Sequence, residues 1–140
     1  MPSTQFIGHT ALYVENPQAL ADFYCQAFCL DIAFSAMDGH YIELKLPTHE
    51  GTPVSTTRLG IASKHLLQEW VGQPEYITTA APSPTTVISL CVTGIQAVYD
   101  QALTLGATAI APPDAKPWGH TLAFIADPSG QWVELFEKTP

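Results

Sequence analysis

Two tandem strand–helix–strand–strand–strand (βαβββ) units, and with them an α+β fold, are predicted by two features of this sequence. The order of local patterns runs through once and then repeats, and the two halves match under a fixed shift. Residues 6–14 (FIGHTALYV) are rich in strand formers and end at Glu15-Asn16-Pro17, where Asn can cap a helix and Pro suits its first position. Leu20, Phe23, Tyr24, Ala27 and Phe28 then recur at helical spacing, which predicts an amphipathic helix of about 13 residues. Strands are expected at 31–37, 40–46 and 57–63, the last two joined by the turn-rich PTHEGTPVST.

The second half follows the same order. TVISLCV (86–92) reads as a strand, and Thr93-Gly94 leads into a helix with Ile95, Val98, Tyr99, Ala102 and Leu103 on one face, closed by Gly106. Strands are expected near 107–111, 120–126 and 131–137, with Asp127-Pro128-Ser129-Gly130 as a type I turn. A shift of 78 carries Leu12 onto Leu90, Val14 onto Val92, Gln18 onto Gln96, Ala19 onto Ala97, Asp22 onto Asp100, Ile32 onto Ile110 and Ala33 onto Ala111. Chance gives about one or two such matches in the window. A shift of 80 carries Gly39-His40 onto Gly119-His120, each opening the third strand of its half. A single domain over 1–140 is therefore expected, with a first unit at 5–63, a linker with a short helical turn at 64–85, and a second unit at 86–138.

Composition narrows the function. Hydrophobic residues make up 46% and charged residues 13%, so a packed core is expected and not disorder. Five basic residues against 13 acidic ones give a net charge of −8, and Lys45, Arg58, Lys64, Lys116 and Lys138 form no cluster. Such a surface repels phosphate backbones and anionic lipid, so neither nucleic acid nor membrane is an expected partner. The N-terminus has no signal-peptide pattern, and no apolar run is long enough to span a bilayer. Three cysteines suit a reducing compartment, so a cytoplasmic location is expected. Cys25 and Cys29 sit four apart on the first helix, a possible metal-ligand spacing, but they read first as small buried hydrophobes. No Ser-His-Asp, phosphate-loop or dinucleotide signature is present.

HTALYVENPQALADFYCQAFCLDI resembles the first strand and helix of the vicinal-oxygen-chelate superfamily, the glyoxalase/bleomycin-resistance/extradiol-dioxygenase group. APPDAKPWGHTLAFIADPSGQWVELFE resembles its closing strands, where Pro117-Trp118-Gly119 precedes an Asp-Pro-x-Gly turn and a Glu-Leu pair. The resemblance implies two βαβββ modules whose curled mixed sheets enclose a ligand cleft, usually completed by a homodimer. Members include glyoxalase I, extradiol dioxygenases, fosfomycin-modifying enzymes and metal-free bleomycin-binding proteins, so fold leaves function open.

In the metalloenzymes of that superfamily, ions are held by the first and last strands of each module. Carried onto this chain, those positions fall on His9, on or beside Gly60 (in Arg58-Leu59-Gly60-Ile61), on Val87 and on Glu134. Gly and Val cannot ligate an ion, and two ligands fall short of a catalytic zinc or non-haem iron site. No cofactor is expected; a divalent metal, if one bound, would use His9 and Glu134, with His40, His120 or Glu43 as a third ligand. Glu43, in Tyr41-Ile42-Glu43-Leu44, mimics the ligand motif but falls on the third strand.

Period-two alternation places His9, Ala11 and Tyr13 on one strand face, toward the cleft, with Leu12 and Val14 on the helix-packed face. Trp132, Glu134 and Phe136 share a face by the same parity, and Glu134 among apolar neighbours wants a partner such as His9 or a basic ligand. Trp70, Tyr76, Trp118, Phe124 and Trp132 fall in the linker and closing strands, a set able to stack on a planar ligand, although each also suits core or dimer packing. The expected function is metal-independent binding of a small, planar or aromatic, cationic or neutral molecule by a homodimer, of sequestration or resistance type. The ligand-binding residues would be His9, Tyr13, Trp118, Trp132 and Glu134. The alternatives are a metal-dependent glyoxalase I-like lyase or extradiol-dioxygenase-like enzyme using His9 and Glu134, and a non-catalytic partner protein whose cleft is filled by its own side chains.

Overall fold

The computed structural model describes residues 10–51, 57–71 and 86–138. Its elements are β1 (Thr10–Val14), α1 (Pro17–Phe28), β2 (Asp31–Ala36), β3 (Tyr41–Lys45), β4 (Leu59–Ser63), α2 (Lys64–Val71), β5 (Ile88–Cys91), α3 (Ile95–Thr104), β6 (Thr108–Ala115), β7 (His120–Ala126) and β8 (Trp132–Lys138). They form two four-stranded mixed sheets, ordered β1-β4-β3-β2 and β5-β8-β7-β6. In each sheet the first strand runs parallel to the last, and the other pairs are antiparallel. The α+β class and the repeat of one topology are as the sequence predicts.

In the first unit, Asn16 caps α1 by accepting from the Ala19 amide at 3.1 Å, and Pro17 opens the helix. Leu20, Ala21, Phe23, Tyr24 and Ala27 bury one stripe of it, with the Phe23 and Tyr24 rings edge to face. The helix ends on Cys29 in the left-handed region, a position that glycine fills without steric cost. Strand register separates the sheet's two faces. Leu12 pairs with Ile61 and Ile61 with Ile42, so these share a face with Val14, Leu44 and Ser63, and Ile42 and Ile61 are wholly buried there. Each such side chain contributes about 1.5–3 kcal/mol of burial. Ala11, Tyr13, Gly60, Ala62, Tyr41, Glu43, Phe34 and Ala36 lie on the other face, which we call the open face for its exposed Phe34, although Gly60 and Ala62 at its centre are buried.

The second sheet has the same division. Val133, Leu135, Ile125 and Ala123 are completely buried on the face covered by α3, whose Ile95, Tyr99 and Ala102 pack inward across β6, β7 and β8. Gly94 precedes α3 in a left-handed conformation and offers no side-chain cap. Glu137 of β8 takes that role: its carboxylate accepts from the Gly94 amide at 2.5 Å and the Ile95 amide at 3.2 Å, a negative charge at the positive helix end. Asp127, buried at the β7–β8 turn, accepts from the Ser129 amide, the Ser129 hydroxyl and the Gln131 amide. The type I turn expected at Asp127–Gly130 closes with a Gly130 amide to Asp127 carbonyl bond of 2.8 Å.

Three expectations change. β6 extends to Ala115 through Pro112 and Pro113, well past residue 111; it is an edge strand with two register shifts, where proline costs no ladder hydrogen bond. The helical turn after β4 is an eight-residue helix, α2, and Trp70 falls within it. The Gly39-His40 and Gly119-His120 pairs are not equivalent. Ile42 opposes Ile61 as Ala123 opposes Leu135, so the third strands are offset by 81, not 80, and His40 corresponds to Thr121. The two histidines consequently point to opposite sides of their sheets.

Candidate functional site

Each sheet has a face, opposite its apolar one, that carries aromatic rings and an inner-strand carboxylate, Glu43 or Glu134. On the second sheet, β8 supplies Trp132, Glu134 and Phe136, β7 supplies His120, Leu122 and Phe124, and β5 supplies Ser89 and Cys91. The parity that puts Trp132, Glu134 and Phe136 together is thus the observed one, and all three are partly buried. The His120 and Phe136 rings lie 5.7 Å apart and tilted by 33°. Glu134 has a partner the sequence reading missed: Ser89, directly across the parallel β5–β8 pair, donates its hydroxyl to the carboxylate at 2.7 Å. No short motif announces this pair, because its members stand 45 residues apart and meet only through register. Trp118, in the turn before β7, is 65% exposed.

On the first sheet, Tyr13 and Tyr41 flank Ala62, while Glu43 lies beside Gly60. The Tyr41 hydroxyl donates to Glu43 at 2.8 Å. Burial, then that hydrogen bond, then the nearby carboxylate push the Tyr41 phenol up to about 12, so it keeps its proton at neutral pH and acts as the donor. Phe34 of β2 lies 6.4 Å from the Tyr41 ring at 64°. His9 lies outside the described residues, as does Tyr76.

The superfamily's metal pattern does not fit the residues present. Gly60 occupies the β4 position across from Ala11, as Glu134 of β8 does across from Ser89, so one module lacks a side chain where the other has a carboxylate. The nearest carboxylate, Glu43, stands one strand over and is engaged by Tyr41. Val87 is exposed just before β5. Among the described residues, no three His, Cys, Asp or Glu side chains gather around a point where an ion would sit. His40 accepts or shares a hydrogen bond with Ser63 at 2.9 Å, on the side away from Glu43, and Ser63 Oγ also caps α2 by accepting from Leu66. Of the two cysteines read first as small buried hydrophobes, Cys25 is half-buried and Cys29 exposed, and burial first, then Asp22 and Asp31, push the Cys25 thiol up. No helix of the described residues is long and apolar enough to cross a membrane.

Comparison with known proteins agrees with this architecture. The family model described as Glyoxalase/Bleomycin resistance protein/Dioxygenase superfamily matches residues 6–135. A glyoxalase-related enzyme from Fulvimarina pelagi is similar at 21% identity, with a TM-score of 0.74 over 96% of this chain and 89% of that one. A glyoxalase/bleomycin resistance protein/dioxygenase family enzyme from Burkholderia phytofirmans PsJN is similar at 16% identity, with a TM-score of 0.75 over 94% and 97%. A glyoxalase/bleomycin resistance protein/dioxygenase from Nocardioides gives 20% and 0.64, over 98% and 87%. At these identities the structural likeness speaks for the fold alone. No curated protein matches the chain.

Proposed function

Because the chain belongs to the glyoxalase/bleomycin resistance protein/dioxygenase superfamily, we propose that it binds a small planar or aromatic molecule without a metal, in the manner of a sequestering or resistance protein. The observation that carries this reading is the open face of the second sheet. Trp132, Phe136, Phe124 and Leu122 give it stacking surface, and a single hydroxyl-held carboxylate, Glu134, fixes orientation. Mostly apolar surface with a few placed polar groups is the pattern of a small-molecule site. Trp118 would close over that ligand from the adjoining turn, and we propose separately that His9 and Tyr13 take part in ligand binding on the first unit. The loss of ligand side chains at Gly60 and Val87 supports metal independence.

Titration with a planar aromatic probe such as acridine, followed by tryptophan fluorescence, tests the reading. Saturable quenching is expected, with Trp132→Ala weakening binding by roughly tenfold or more, since stacking and desolvation at an aromatic contact are worth about 1–3 kcal/mol. Absence of saturable binding, or full affinity in Trp132→Ala, would contradict it.

We also propose that the working form is a homodimer. Ile32 of β2 and Ile110 of β6 leave apolar side chains 45% and 39% exposed on edge strands, surface that a second copy would cover. Light scattering at micromolar concentration is expected to give about twice the 15.1 kDa chain mass; a persistent monomer would remove this part of the proposal.

A further inference from the structure

On the second sheet, unlike the first, the inner-strand carboxylate stands among side chains that solvent reaches. Glu134, its neighbours Trp132 and Phe136 two residues either way along β8, and Phe124 across from it on β7 are all partly exposed, and Ser89 across on β5 is exposed. Three rings therefore surround one carboxylate, about 5 Å away across the strands and about 7 Å along them, backbone to backbone. The Ser89 hydroxyl holds Oε1 at 2.7 Å, and Oε2 has no hydrogen-bond partner among the described residues. Nor does any cation among them pair with Glu134. The other carboxylate of this face, Asp114 of β6, is already taken by Lys116 at 2.7 Å. Lys138 stands beyond Phe136, about 13 Å along β8 from Glu134.

We infer that this face recognises an organic cation, with Glu134 as the counter-charge and the rings of Trp132, Phe136 and Phe124 as the surface it rests on. The inference rests on the small-molecule reading above and gives that same face a ligand class. Charge complementarity selects the occupant. An anion would meet the carboxylate, and a neutral ligand laid over Glu134 would strip water from Oε2 without replacing it. A cation supplies the missing partner. It also gains from the rings, because aromatic faces, tryptophan most of all, attract positive charge within about 6 Å of the ring centre. The net charge of −8 draws cations toward the chain as a whole, and Glu134 is what would hold them at this face.

A matched pair of probes, N-methylacridinium and acridine, separates the two claims by calorimetry at mildly alkaline pH, where acridine is uncharged. The cation is expected to bind roughly tenfold more tightly than its neutral counterpart. Glu134→Gln keeps the shape and an acceptor for Ser89, so it should remove most of that preference while leaving acridine affinity unchanged. Glu134→Ala should remove the preference as well, and it decides the matter if Glu134→Gln does not fold. Asp100→Asn takes the same charge from the exposed side of α3, the helix on the covered face of this sheet, and should keep the preference. Equal affinity of the wild-type protein for the two probes overturns the inference, and acridine binding then leaves the small-molecule reading standing. A preference that survives loss of the Glu134 carboxylate, or that falls as far in Asp100→Asn, overturns it too. If neither probe binds, both fall.

Discussion

Leu135→Ala is expected to cost about 3 kcal/mol of stability, whereas Glu134→Ala, one residue away on the same strand, should cost less than about 1 kcal/mol. Leu135 is wholly buried on the α3 side of the second sheet, between Leu90 of β5 and Ala123 of β7. Its truncation removes several buried carbon atoms and leaves a cavity that a central strand of a four-stranded sheet cannot close. Glu134 faces the other way, and its contact is one hydrogen bond from the exposed Ser89 hydroxyl. Water can satisfy Ser89 when the carboxylate is gone, so little is left unpaired. Urea unfolding of the two variants gives the comparison. Similar losses, or a larger loss for Glu134→Ala, would mean that the open face is part of the structural core and not a binding surface.

The repeat, the element order and the strand parities were legible because they rest on local chemistry. Asn16-Pro17 announces a helix start, Asp127-Pro128-Ser129-Gly130 a turn, and alternating Trp132, Glu134 and Phe136 a half-buried strand. What depends on register was not legible. Ser89 as the partner of Glu134, Glu137 as the cap of α3, and Tyr41 as the anchor of Glu43 across from Gly60 come from strand pairings and a side-chain contact that no single-segment pattern encodes. The misaligned Gly39-His40 and Gly119-His120 pairs show the same limit: identical dipeptides at nearly the same offset suggest equivalence, yet a one-residue slip moves a side chain to the opposite face. β6 was read short because Pro112-Pro113 ordinarily ends a strand, and only its place at the sheet edge makes the continuation tolerable.

The four metal positions carried over from the superfamily are the sharpest point of contact between sequence and mechanism. A glycine and a valine stand at two of them, and we propose that the chain holds no ion tightly, since an ion short of protein ligands draws most of its coordination from water. Glu134 is moreover already in a hydrogen bond with Ser89, which ligation would have to break. Calorimetric titration of the chelator-stripped protein with Zn²⁺, Ni²⁺ and Mn²⁺, without an affinity tag that itself binds metal, tests this most directly. The account predicts no stoichiometric binding at micromolar or tighter affinity for any of the three, and unchanged binding of the aromatic probe in the presence of chelator. Stoichiometric binding that disappears in both His9→Ala and Glu134→Ala would contradict it and place the chain among the metal-dependent members of its superfamily.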